Sequence, residues 1–222
     1  MKVQFAGAGV RSVVVILLGG LAALSGCTQD AGQKRADLAV NTMADTRAEI
    51  VKAQNQIYGT LNTLREIQKP ASDLKAGFET LKTQIADIRA QRDVIRDRGD
   101  DMRTRSAAYQ NAWRDEIMKI TDPTLQGTAK ERADDVGTMY QQLIADATEA
   151  KADYEPFIRK LDELQTYLSN DLTRAGVEKA KPSFDDAIAQ GETLHAKVND
   201  LVREMNILTA TMSPTGKIPN SR

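Results

Sequence analysis

The stretch 74–113 reads LKAGFETLKTQIADIRAQRDVIRDRGDDMRTRSAAYQNAW. Leu74, Phe78, Leu81, Ile85, Ile88, Arg92, Ile95, Gly99, Met102, Ser106, Tyr109 and Trp113 follow one another in it at alternating steps of four and three. An α-helix gathers such positions on one face, because 3.6 residues complete a turn. A half-buried strand would need alternation at every second residue instead. Ile117 and Ile120 carry the stripe on, so the helix is expected to run for roughly 70 Å at 1.5 Å per residue. A repeat of seven held for that distance predicts gentle left-handed supercoiling against a neighbouring helix.

The flanking segments carry the same signal. Upstream, Met43, Ile50, Ile57, Leu61 and Leu64 predict a helix from about 36 to 68, with Arg47 and Gln54 filling the remaining seam positions and Pro70 ending it. Ser72 is placed to cap the second helix. Downstream, Asp122-Pro123 supplies a cap and a proline suited to the first helical position. The third helix then carries Val136, Tyr140, Leu143, Ala147, Ala150, Tyr154, Phe157, Leu161, Leu164 and Leu168 in heptad register. Pro156 lies inside that stripe without shifting it, which predicts a kink and not a break. Gly176 and Pro182 mark the last boundary, Ser183 with Asp186 resembles a capping signal, and Ile188, Leu194, Val198, Leu201, Val202, Met205 and Leu208 form the face of a fourth helix to about 211. Connections near 70, 121 and 178 are short, so successive helices are expected to pack antiparallel. The fold class is therefore all-α: an elongated antiparallel bundle or coiled coil of about four long helices over 36–211, with a loose tail at 212–222.

Composition agrees with that class and removes several functions. Aromatics make up 5% of the 222 residues and charged side chains 27%, a balance typical of helices and poor for a sheet sandwich. Removing Lys2 and Arg11 with a leader leaves 28 basic and 31 acidic side chains, a net charge of about −3, and no strong positive field for nucleic acid. One cysteine excludes an intramolecular disulfide, and one histidine excludes a histidine-based metal cluster.

The first 26 residues read as a lipoprotein signal peptide. Lys2 and Arg11 form the positive region, and Val13 to Leu24 form an apolar run of about a dozen residues, too short for the roughly 20 that span a bilayer. The run ends in Leu24-Ser25-Gly26-Cys27, which looks like a bacterial lipobox. Leu24, Ser25 and Gly26 offer the small-residue recognition segment for the signal peptidase, and the Cys27 thiol offers the site of acylation, with palmitate among the chains. Two or three acyl chains on one residue hold a protein on a membrane far more firmly than one. Residues 27–35 are expected as a lipidated polar tether. By resemblance to Gram-negative lipoproteins, Thr28 in place of Asp points to the inner leaflet of the outer membrane, with the chain facing the periplasm.

Other residues invite chemistry that a plainer reading absorbs. Arg89 to Arg105 is dense in charge, but its signs alternate, and pairs such as Arg89-Asp93, Arg96-Asp100 and Asp101-Arg105 favour a solvated helix face over a phosphate patch. His195 with Glu192 would make two metal ligands where zinc wants three or four. Tyr109 with Trp113 falls on the seam, where aromatics serve as core. Arg47, Gln54 and Arg92 are polar seam residues of the kind that set register or partner choice. The neighbours Asp134-Asp135 and Asp185-Asp186 do not face each other on a helix and make no acid/base pair. No catalytic residue, cofactor-binding residue or metal ligand is assigned, and the protein is expected not to be an enzyme.

Trp113 with Glu116, Tyr140 with Leu143, Pro156 followed by Leu161, Tyr167, Leu168 and Leu172, the closing Leu201-Val202-Arg203-Glu204-Met205 and the lipobox Cys27 together resemble an uncharacterised family of bacterial lipoproteins, domain of unknown function 2959. That resemblance implies helical architecture and an envelope location, and carries over no functional residue. The expected role is a lipid-tethered helical scaffold, spacer or adaptor. Its expected partners are membrane lipid through Cys27, another envelope protein and copies of itself. The competing expectation is a small-ligand or lipid-binding module with a cavity around Tyr109, Trp113, Tyr140 and Tyr154.

Overall fold

Prolines and short polar side chains set the helix boundaries in the computed structural model, which describes residues 27–213 and Gly216. Helix α1 spans Cys27–Ile67, α2 Leu74–Ile117, α3 Pro123–Asn170, α4 Arg174–Lys179 and α5 Lys181–Met212. Asp73 opens α2 by accepting from the Ala76 N–H, and Asp122 opens α3 by accepting from the Thr124 and Leu125 N–H groups at 2.8 and 3.0 Å. Each cap satisfies donors that the first turn leaves without an intrahelical partner. Pro123 sits in the first turn of α3, where its missing N–H costs nothing. Helix α3 continues through Pro156, and its apolar register persists on both sides.

Two expected caps are corrected. Ser72 does not cap α2; its hydroxyl donates back to the Ile67 carbonyl at 3.2 Å, and the adjacent Asp73 takes the capping position. Ser183 does not cap the last helix, because α5 already begins at Lys181. Ala180 ends α4 with a helical backbone and serves at once as the residue before α5, so the chain passes between them almost without a break. The segment expected as a tether, 27–35, forms the first turns of α1. The leader, including Leu24, Ser25 and Gly26, lies outside the described residues, as does the tail beyond Ser213 apart from Gly216.

The four long helices close into a ring in which α1 touches α2 and α5, and α3 touches α2 and α5. Every adjacent pair is antiparallel. Thr46 of α1 meets Arg98 of α2, whereas Ile67 meets Gly77. Arg92 meets Glu155 and Gln110 lies by Gly137 across α2–α3, Asp153 meets Lys197 across α3–α5, and Gln54 meets Asn199 across α5–α1. Helix on helix in this order buries four apolar stripes against one another without a sheet.

The core runs the length of the bundle. Leu61, Leu64, Leu81, Ile85, Phe157, Leu161, Leu164 and Phe184 are fully buried in one half, and Met43, Met102, Val136, Leu143, Met205 and Leu208 continue it in the other. Of the stripe that predicted α2, Phe78, Leu81, Ile85, Ile88, Met102, Ser106 and Ile117 are buried, and Leu74, Ile95, Tyr109 and Trp113 pack at its margin. The bundle has two poles. One gathers the start of α1, the α2–α3 turn and the end of α5; the other gathers the α1–α2 turn and α4.

Candidate functional site

Cys27 is the first described residue and already belongs to α1, on the side of the pole shared with the α2–α3 turn. Arg35, two turns further along, forms an ion pair with Glu116 near the end of α2. A side chain at Gly32 would meet the same carboxylate at 3.3 Å. That contact docks the start of α1 against α2 and continues the rod to within a few residues of the expected acylation position.

Beside this dock, α1 and α2 part to leave two adjoining open grooves of about 320 and 310 Å³. Leu38, Asp101 and Arg105 line both; Arg35 and Tyr109 complete the first, and Asp45 and Arg98 belong to the second. Arg105 Nε donates to both Asp101 oxygens at 2.8 and 2.9 Å, so the groove floor is an internally neutralised pair.

The charged stretch 89–105 behaves as a self-paired surface, though with different partners than its spacing predicted. Arg89 reaches across to Asp162 of α3 and not to Asp93. Arg96 pairs with Asp93 and Asp97 and not with Asp100, which takes Arg103 instead. Only Asp101-Arg105 forms as the helical spacing suggests. Antiparallel neighbours offer carboxylates to long arginines from outside their own helix, and spacing along one helix does not show those. Exposed pairs of this kind contribute about 0–1 kcal/mol each.

The polar seam residues take separate roles. Arg92 stands over the Tyr154 ring with its guanidinium carbon 5.9 Å from the centroid and contacts Asp93 and Glu155. Gln54 donates to Asn199 at 3.2 Å. Arg47 Nε is buried without a hydrogen-bond partner in the structure.

Aromatic residues expected to frame one cavity do not converge. Tyr109 and Trp113 pack together with centroids 5.5 Å apart, but Tyr140 and Tyr154 are separated by 14 positions on α3, about 21 Å along its axis. Burial pushes the Tyr109, Tyr140 and Tyr154 phenols up, Tyr154 to about 12, and the Tyr154 hydroxyl has no hydrogen-bond partner. His195 lies 6.0 Å from the Tyr58 ring, while Glu192 is taken by Arg65 at 2.5 Å, so that pair is not a joint metal site. Among the described residues, no group of three or more His, Cys, Asp or Glu is placed to hold a metal ion.

Two features escaped the sequence. Arg174 of α4 donates to the Ile67 and Lys69 carbonyls and to both oxygens of Ser72, closing the far pole. Glu204 of α5 is pushed up to about 7, first by burial, then by hydrogen bonding and like charge from Asp146 of α3. Neither had a local motif: their partners lie about a hundred and about sixty positions away, brought close by bundle closure. Among the described residues no helix is long and apolar enough to cross a membrane.

A family model described as a protein of unknown function, DUF2959, matches residues 26–213. No curated protein matches the chain, and no solved structure does.

Proposed function

The chain belongs to the DUF2959 family of proteins of unknown function, and we propose that it is a lipid-anchored cell-envelope protein acting as a helical scaffold, spacer or adaptor without catalysis of its own. The reading is carried by one observation: Cys27 already lies in α1, which is helical over Cys27–Ile67 and runs into the bundle without an intervening loop. Acyl chains on Cys27 would therefore hold a rod by its end, with little slack between lipid and folded body. A closed ring of helices roughly 70 Å long converts that attachment into reach away from the bilayer. The self-paired charges along α2 leave a surface suited to protein neighbours of mixed charge and poorly suited to nucleic acid. The periplasmic side of the envelope, at the inner leaflet of the outer membrane in a Gram-negative cell, is the location that Thr28 after Cys27 supports. Its partners are membrane lipid and a second envelope protein, with self-association as a further use of the same faces.

Metabolic labelling with radioactive palmitate, followed by membrane fractionation, tests the anchor. The wild-type chain should take up label and sediment with membranes, and Cys27→Ser should lose both. An unlabelled, freely soluble wild-type chain overturns the reading. Crosslinking in intact cells tests the adaptor role: recovery of an envelope protein supports it, and recovery of lipid and self alone removes its main support.

A further inference from the structure

Met118 and Leu125 are the two most exposed large apolar side chains among the described residues, at 77% and 62%. They flank the same turn, Met118 at the end of α2 and Leu125 in the first turn of α3. The opposite pole exposes no large apolar side chain among the described residues. The turn shares its pole with Cys27. Gly32 lies by the Glu116 carboxylate, and α1 runs about 7 Å further toward this pole to reach Cys27.

Part of the backbone of this turn is paired from within. Lys119 N–H donates to the Glu116 carbonyl and Ile120 N–H to the Ile117 carbonyl, both at 3.1 Å. Gln126 Nε2 donates to the Ile117 and Ile120 carbonyls at 3.3 and 3.1 Å, and Asp122 covers the first N–H groups of α3. Internal pairing lowers the cost of bringing peptide groups up to an apolar medium, and the groups left over can be met by water and headgroups at the interface. Lys119, exposed between the two apolar residues, can lie along the surface with its ammonium among headgroups.

We propose that the α2–α3 turn is a second membrane contact, in which Met118 and Leu125 enter the interfacial region of the bilayer that holds Cys27. This rests on the lipid-anchor reading above. Two apolar side chains bind a bilayer weakly by themselves, but an acylated Cys27 keeps the turn at a high local concentration of lipid, which makes a weak second contact effective. Two points of attachment on one pole limit the angles the rod can adopt. The segment 214–222, which follows α5 in the chain, carries one large apolar residue, Ile218.

The test places a photoreactive benzophenone amino acid at position 118, 125 or, as a control at the far pole, 71. The full chain is produced in bacterial cells containing radiolabelled phospholipid, and palmitate uptake is read in parallel. Phospholipid capture from 118 and 125 several-fold above that from 71 is expected. Capture no higher than from 71, or capture of a protein or of segment 214–222 in place of lipid, overturns the turn contact. Palmitate on the chain without lipid capture leaves the anchor standing and removes the turn contact. Lipid capture without palmitate does the reverse, and loss of both signals removes both.

Discussion

Gly191 and Gly99 show how differently one residue type acts along the same bundle. A Cβ at Gly191 would stand 2.5 Å from Leu61 Cδ2 and 2.7 Å from Phe157 Cε2. Both neighbours are fully buried and cannot swing aside. A Cβ at Gly99 would meet nothing within 4 Å. Alanine gains about 0.5–1 kcal/mol over glycine inside a helix, whereas overpacking costs about 1–3 kcal/mol. Gly99→Ala should therefore raise the denaturation midpoint by an amount worth up to about 1 kcal/mol, and Gly191→Ala should lower it by about 1–2 kcal/mol; urea melts followed by circular dichroism check both. Glu204 carries a pH signature. Its carboxyl is raised to about 7 by burial and by Asp146, with Asp200 opposing ionisation further and Arg203 favouring it. The folded chain thus binds a proton more readily than the unfolded one, and stability should fall as pH rises from about 4.5 to about 7. Glu204→Gln should flatten that part of the stability profile. The sequence marks Gly99 as a gap in a stripe, but it holds nothing to distinguish the crowding at Gly191, which depends on side chains 34 and 130 positions away.

At the level of elements, the apolar stripes were legible and the stitches between helices were not. The four-three spacing from Leu74 to Trp113 placed α2, and Asp122-Pro123 placed the start of α3, because both signals act within a few turns of one helix. Arg174 acts otherwise. Its Nη1 donates to the Lys69 carbonyl at 2.6 Å and to the Ile67 carbonyl at 3.3 Å, and Nη2 to Ser72 Oγ at 3.0 Å. It thereby supplies donors to the end of α1, whose last carbonyls have no helical partner. Arg174→Ala should cost about 1–3 kcal/mol, the range for hydrogen bonds to a charged group in partly buried surroundings. Arg174→Lys should recover only part of this, since an ammonium cannot span the same acceptors with a planar fork. Amide exchange over 67–74 should accelerate in the alanine variant while the α2–α3 turn stays protected, which separates a local stitch from a general loss of stability.

The whole molecule is long because its helices are long and its turns short. Helices of 41, 44 and 48 residues set a length on the order of 70 Å. A compact domain of this chain length has a radius of gyration of about 16 Å, whereas a four-helix rod of this length should give about 21 Å. Small-angle scattering of the Cys27→Ser chain distinguishes the two, and a value near 16 Å contradicts the rod. A second consequence of length is that the two poles are chemically separate: Arg174 closes one with polar contacts, and Met118 and Leu125 dress the other with apolar ones.

Helical class and the four long helices were determined by the amino-acid sequence, because helical periodicity and capping depend on neighbours within about eight residues, whereas the short α4 and the helical course of 27–35 carry no such stripe. Tertiary structure alone decided which helix closes the ring against α1, which carboxylate each arginine of 89–105 takes, and that Glu204 faces Asp146. Those outcomes follow from how antiparallel helices align along their full lengths, and a shift of one turn would exchange every such partner while leaving each stripe unchanged.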